Sequence, residues 1–352
     1  MPAAVAVPPV SARGLKRVWL LGTLLCTLGA FAVTAALAPA DGESPARSLQ
    51  WLLFVSSSVH VAATGWFFTL PEVRTHARAH RRRYVVAPVA LVGLGAVAAA
   101  AVPPAAFNWP LLAFFAWQFF HFQKQNLGMA ALAGVSVGAR SVSPVERRAL
   151  MVAGGAGIAG LVLEPRLLQV AVDVHLPAAR TLALLVFCAG VAVGVLALAR
   201  RPAGERPWGY CAVYGSSLLF FLPVFVFANP YLAVAGLVVA HGGQYLVIVG
   251  LIAGASRTDR SRWVSLGLLL NVALLGGLAL NAASHLHGAQ IAGRAVFGAY
   301  LGALMAHFVV DAGLWRLRDE FPRSLLRAAV PYLLGKDEPS AAATRAGGTR
   351  RR

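Results

Sequence analysis

Apolar stretches of roughly 18 or more residues recur along almost the whole chain, and no other property narrows its fold as much. A stretch of that length crosses a ~30 Å hydrocarbon core as a helix. In hydrocarbon each backbone N–H and C=O must be paired within the spanning structure itself, so helices are the economical solution. Ten spans are read, at 18–37, 49–70, 85–102, 110–132, 149–163, 181–198, 210–228, 231–253, 263–283 and 291–314. The fifth is short. The first has the length of a signal anchor but lacks a convincing small-residue cleavage site, and the chain after it continues in the membrane. The expected fold is an all-α, polytopic membrane bundle occupying 16–335 as one domain. The tails at 1–15 and 336–352, rich in Ala, Pro, Gly and Arg, cannot bury a core and are expected to be disordered.

Composition agrees with this. Hydrophobic residues make up 58% and charged residues only 12%, about half the charged share of a soluble chain. Cys26, Cys188 and Cys211 all fall inside apolar stretches, which argues against a disulfide framework or a cysteine-rich metal site. The formal charge of +18 would suggest nucleic-acid binding if the basic residues were clustered on a soluble face. They are instead sorted by membrane side. With the N-terminus cytoplasmic, the inside segments hold 3, 5, 3, 3 and 3 Lys/Arg and the C-terminal segment 9, whereas the outside loops hold 1, 0, 2, 0 and 0. That alternation puts both termini in the cytoplasm, identifies the lipid bilayer rather than nucleic acid as the partner, and fits a bacterial inner-membrane protein. The loop Pro71–Tyr84, with Arg74, Arg78 and Arg81 to Arg83, is expected to lie against anionic headgroups. Gly154, Gly155, Gly157 and Gly160 would let helices approach closely.

Four of the nine histidines, His60, His121, His241 and His307, lie inside spans two, four, eight and ten. All four spans run from outside to inside. His60 and His121 each lie 11 residues into their spans and His241 lies 10, a common depth of about 15 Å at 1.5 Å per residue. His307, 16 residues in, is expected ~7 Å nearer the cytoplasm, a gap that tilt can close. A single imidazole in a membrane helix is commonly an interhelical hydrogen-bonding group. Several at one depth suggest a shared site, because intramembrane ionisable residues are costly and mark function.

The neighbours of these histidines support a metal centre. His121 has Gln118 at i−3 and Gln125 at i+4, His241 is followed by Gln244 and Tyr245, and His307 by Asp311 at i+4. Ligating histidines need their second nitrogen oriented by an amide, carbonyl or carboxylate, so Gln125, Gln244 and Asp311 are the groups expected to work beside the metal. Asp311 can also serve as a ligand, or pair with Arg318 or Lys124. His60 has only Ser56 and Thr64 on its face. Lys124 is either an amine beside the site or a side chain that snorkels to the cytoplasmic surface. His76 and His80 have i, i+4 spacing but sit among five arginines, a field that opposes cation binding. His285 and His287, in an outside loop, form an isolated His-x-His pair.

Imidazole ligands suit Fe, Zn, Cu or Ni. Iron with three or four histidines and an open position can activate oxygen against a lipid-phase substrate, and zinc can polarise a bound water. Phosphate-binding, nucleophile-elbow and His-Glu-x-x-His motifs are absent. The ten or so spans, the histidines on separate helices and the His121-Phe122 segment followed by Gly128 resemble the bacterial membrane-bound β-carotene 15,15′-dioxygenase family. The resemblance implies a polytopic non-haem iron(II) oxygenase acting on a lipophilic small molecule, a carotenoid or another lipid. It also implies ligand roles for His121, His241 and His307, joined by His60. Two other classes remain open on the residues alone. One is a proton- or ion-coupled transporter using the His, Gln and Asp side chains. The other is a membrane protein holding b-type haem between facing histidines.

Overall fold

In the computed structural model, residues 12–40, 43–174, 176–255, 261–288 and 290–334 are described, and among them there is no strand. The expected tails fall outside the described residues except for 12–15, which open the first helix. Seven helices are long and apolar enough to cross a membrane: α1 (Arg13–Leu37), α2 (Arg47–Thr69), α4 (Arg82–Ala101), α7 (Pro177–Ala199), α10 (Tyr231–Ala253), α11 (Arg262–Gly288) and α12 (Ile291–Leu314). The other α-helices among the described residues are α3 (Pro71–Ala79), α5 (Pro104–Ser136), α6 (Pro144–Val162), α8 (Trp208–Leu218), α9 (Pro223–Val226) and α13 (Glu320–Ala329). The chain is thus an all-α bundle with a multi-pass membrane character.

Three expected spans take other forms. The run 110–132 lies within α5, whose 33 residues extend about 50 Å at 1.5 Å each, well beyond a hydrocarbon core. The run 149–163 lies in α6, which also carries Glu146, Arg147 and Arg148 in its first turns. The run 210–228 is not one helix. It stops at Leu218, turns through the buried Phe220 and Phe221, and restarts at Pro223, which cannot donate the N–H that a continuous helix would require.

Two devices set the helix register around the middle of the bundle. In α2 the ladder widens to a π-turn over Val55–Val59, immediately before His60. The Ser56 and Ser57 hydroxyls donate to the carbonyls of Leu52 and Leu53, both at 2.6 Å, occupying acceptors next to the widened turn. Helix α10 meets this turn through Gly242, where a Cβ would collide with the Ser56 carbonyl. Any side chain there would push apart the helices that carry His60 and His241. Gly302 plays the same part between α12 and α4, with the backbone of Leu91 and Val92 directly against it.

The fold also contains a clasp between remote residues. Ser143 and Glu146 form a reciprocal capping box at the start of α6. Arg201, just beyond α7, grips Glu146 through Nε at 2.7 Å and Nη2 at 2.5 Å. It also donates to the Arg140 and Ser141 carbonyls and to the Tyr210 hydroxyl. Burial alone would raise the Glu146 carboxyl; the Arg201 guanidinium and the bonds from Ser143 overcome it and hold the group below its ordinary value. The clasp ties α6, α7 and α8 together at one end of the bundle.

Candidate metal centre

The four intramembrane histidines converge. His60 on α2, His121 on α5, His241 on α10 and His307 on α12 form a closed ring of imidazoles. Neighbouring centroids are 5.0 Å apart for His60–His241 and His121–His241, 5.2 Å for His60–His307 and 5.1 Å for His121–His307. The ~7 Å offset expected for His307 is not seen, since its ring centre lies 5.1–5.2 Å from those of His121 and His60. Residue counts from helix ends are a poor measure of convergence, because His121 is 17 residues past Pro104 and His241 only 10 past Tyr231.

Polar support comes from one side of the ring. Thr64 Oγ1 lies 2.8 Å from His307 Nδ1, 2.6 Å from the Tyr245 hydroxyl and 3.4 Å from Asp311 Oδ1. Tyr245 in turn donates to Asp311 Oδ1 at 3.2 Å, and Asp311 Oδ2 is 3.7 Å from His307 Nε2. Asp311 is therefore turned inward to Thr64 and Tyr245. Thr64 occupies the face that seemed to leave His60 unsupported, yet it serves His307 on another helix.

The two glutamines act at one remove. Gln125 Nε2 donates to the His241 carbonyl at 2.9 Å and to Gln244 Oε1 at 3.0 Å, and Gln244 Nε2 donates to Thr27 Oγ1 at 2.7 Å. These bonds join α5, α10 and α1 by backbone and side chain and touch no ring nitrogen. This differs from the expectation that the amides orient imidazoles directly. One turn after His121, Gln125 already faces the backbone of α10.

The remaining surroundings are apolar. Phe122 stacks on His241 at 3.9 Å, Phe308 stacks on His121 at 4.7 Å, and Trp315 packs against Tyr245 at 5.9 Å. Each of these rings belongs to a different packed core, so the imidazoles sit where three hydrophobic clusters meet.

The ring nitrogens show whether such a site fits a metal. His60 Nδ1 and Nε2, His241 Nδ1 and Nε2, His121 Nε2 and His307 Nε2 are buried with no hydrogen-bond partner. The His60 ring approaches the Ser56 and Ser57 backbone without attaining bonding geometry. At roughly 1–3 kcal/mol for each unpaired buried polar atom, six would cost on the order of 10 kcal/mol. That is comparable to the whole net stability of an ordinary domain. Shared ligation of a metal ion would relieve that cost. With metal–nitrogen bonds of about 2.0–2.1 Å, imidazole centres sit about 3 Å from an ion and about 5 Å from one another, the spacing that neighbouring rings have here. Donor atoms of His60, His241 and His307 lie within 4.8 Å of one another, as do those of His121, His307 and Asp311. The residues present fit a transition-metal ion.

The other candidates lie elsewhere. Lys124 is exposed on the outside of α5, in keeping with a snorkelling side chain. The His76 and His80 rings meet at 4.2 Å, tilted by 33°, and His76 lies flat on Phe321 at 3.9 Å. Both line an open pocket of about 770 Å³ together with Arg78 and Arg81 to Arg83. Burial, His80 and Arg83 lower the His76 pKa, the same positive field that disfavours a cation. His285 bonds to the Asn281 carbonyl at 2.7 Å and His287 packs on Phe297; both are exposed.

Fold and site together define a class: a helical bundle of membrane-spanning character with a buried cluster of histidines whose donor atoms could hold a metal ion. No protein-family model, curated protein or solved structure matches the chain.

Proposed function

We propose that the protein is a membrane-embedded, non-haem iron(II) oxygenase acting on a lipophilic, carotenoid-like substrate. The observation that carries this reading is the set of six buried nitrogens without a hydrogen bond on four imidazoles whose neighbouring centres are about 5 Å apart. His60, His121, His241 and His307 hold the metal. Asp311 either completes the ligand set or receives a proton beside it. Bound iron(II) supplies the activation of dioxygen, which the amino acids alone cannot provide. Thr64 fixes the His307 ring by its Nδ1 and shares Asp311 with Tyr245. Gln125 and Gln244 hold the backbone of α10 in register, and the surrounding rings of Phe122, Phe308 and Trp315 keep water from the centre.

In this reading α5, α6 and the broken α8–α9 segment join the seven apolar helices as spans. Ten crossings then leave both termini in the cytoplasm of a bacterial inner membrane, the arrangement favoured by the distribution of Lys and Arg. Haem is disfavoured by crowding. A porphyrin between two of these histidines would occupy the space of the other two, whose rings are already only 5.0–5.2 Å away.

The test is oxygen uptake by detergent-purified, iron(II)-loaded protein given β-carotene, with the absorption spectrum recorded beside it. Substrate-dependent uptake that is lost in His241→Ala supports the proposal. A Soret band transfers the assignment to haem. Proton or solute movement in liposomes by metal-free protein transfers it to a transporter.

A further inference from the structure

Away from the histidine centre, α3, the start of α4 and the start of α13 border the open pocket of about 770 Å³ that His76 and His80 line. That size falls within the range of about 300–1,000 Å³ found for small-molecule sites. The pocket lies at the edge of the apolar zone. Arg82 is the first residue of the α4 span, and the last of the α12 span, Leu314, adjoins the lining residue Gly313. A Cβ at Gly313 would collide with the Tyr84 hydroxyl and the Arg83 side chain, so the base of α4 rests directly on α12. The stacking of His76 on Phe321 ties α3 to the start of α13, which leaves the walls already in place. The charge balance is positive. Arg78, Arg81, Arg82 and Arg83 line the pocket against the carboxylates of Asp319 and Glu320, and Asp319 is drawn to Arg316 at 3.5 Å. Nearby arginines are occupied by the chain itself: Arg74 donates to the Phe68 and Thr69 carbonyls, and Arg323 to those of Leu317 and Arg318. Among the described residues Arg78, Arg81 and Arg82 have no such carbonyl or carboxylate partner, and all three are exposed.

We propose that this pocket is a binding site for one phosphate-bearing anion, held by Arg78, Arg81 and Arg82. Guanidinium groups present a planar fork of N–H donors that matches phosphate oxygens two at a time, which a point charge cannot do. Basic pockets beside membrane helices, at the level where the apolar zone ends, are suited to the phosphates of lipid headgroups. Free phosphate offers the same oxyanion from the aqueous side. Either ligand would bridge α3 and α4 to α13. A diffuse attraction of the Pro71–Tyr84 loop to an anionic surface would hold many lipids weakly, whereas a walled pocket holds one. This site is independent of the histidine centre and of the oxygenase reading.

The full chain, purified in detergent and stripped of lipid, is titrated with dioleoylphosphatidylglycerol by native mass spectrometry and, in parallel, with inorganic phosphate by calorimetry. One equivalent that saturates before any further binding is expected. If that equivalent is the lipid, the ligand comes from the bilayer; if it is phosphate alone, the ligand comes from solution. Arg81→Gln combined with Arg82→Gln should raise the half-saturation concentration about 10- to 30-fold, the size expected for two arginines at a membrane surface. Arg147→Gln combined with Arg148→Gln removes the same charge from exposed positions at the start of α6 and should leave it nearly unchanged at physiological salt. Asp319→Asn removes a carboxylate from the pocket and keeps a residue suited to the start of a helix. It should lower the half-saturation concentration about threefold, a gain that a damaged fold would not produce. Absence of a saturable equivalent for both probes would overturn the site. So would an equal loss in the Arg147 and Arg148 pair, or no gain in Asp319→Asn.

Discussion

Thr64→Val probes the least expected part of the centre. Valine matches threonine in shape, so α2 should keep its packing while losing one hydroxyl. That hydroxyl touches His307 Nδ1 at 2.8 Å and Tyr245 at 2.6 Å, with Asp311 Oδ1 at 3.4 Å. Its removal leaves His307 Nδ1 without its polar partner in an apolar interior, at a cost of about 1–3 kcal/mol. At 1.4 kcal/mol per factor of ten, that is roughly 5- to 150-fold in affinity. Loss of an outer partner from a metal-bound histidine typically costs 10–100-fold, which falls within the same range. The assay is competition for iron(II) or zinc(II) against a chelator of known affinity, on detergent-purified protein. Thr64→Ser keeps the hydroxyl and should stay within about threefold of wild type. Wild-type affinity in Thr64→Val would refute the claim that Thr64 orients His307. An equal loss in Thr64→Ser would show that packing of the methyl group, not the hydrogen bond, is what matters.

Other expectations can be checked with the same material. Asp311→Asn should lower metal occupancy or activity about 10–100-fold if Asp311 acts from outside the ligand set, and abolish occupancy if it ligates; His76→Ala and His80→Ala should leave metal content unchanged. Glu146→Gln or Arg201→Met should destabilise the bundle by about 3–5 kcal/mol, read as a lowered thermal midpoint in detergent, because each leaves a buried partner uncompensated. The Glu146 carboxyl is held below its unfolded value of 4.5, so its contribution is present above that pH and lost as pH falls through the folded value; wild type should lose stability on acidification more steeply than Glu146→Gln. Reporter fusions after Arg83, Arg148, Arg206 and Arg262 should report cytoplasmic and those in 38–48 and 164–180 external, while an external signal after Arg262 would remove the ten-span topology.

What the sequence made legible follows from how local each signal is. Apolar runs and the arginines between them are local, and seven helices of membrane-spanning length stand where runs were read. His121, His241 and His307 were marked by polar residues one turn away. The roles of those residues were less visible because they depend on contacts across helices. Thr64 lies one turn after His60 but bonds to His307, 243 positions away in the chain. That contact depends on helix rotation, and the π-turn at Val55–Val59 changes the rotation of everything after it. Hydrophobic periodicity does not reveal such a turn. Pro223 is a local signal against one continuous helix over 210–228, a stretch that hydropathy by itself reads as one span. Ser143 and Glu146 carried the spacing of a capping box, but Arg201, 55 residues from Glu146, had no local mark distinguishing it from Arg200.

Metal analysis of purified wild-type protein and of His60→Ala, His121→Ala, His241→Ala and His307→Ala tests the central claim most directly. An incomplete shell of imidazoles should not retain an ion. The account predicts about one transition-metal ion per wild-type chain and nearly none in each single variant, with all five proteins folded by circular dichroism. Wild-type protein free of metal after expression and reconstitution with iron(II), or full occupancy persisting in His121→Ala, His241→Ala and His307→Ala, would contradict it.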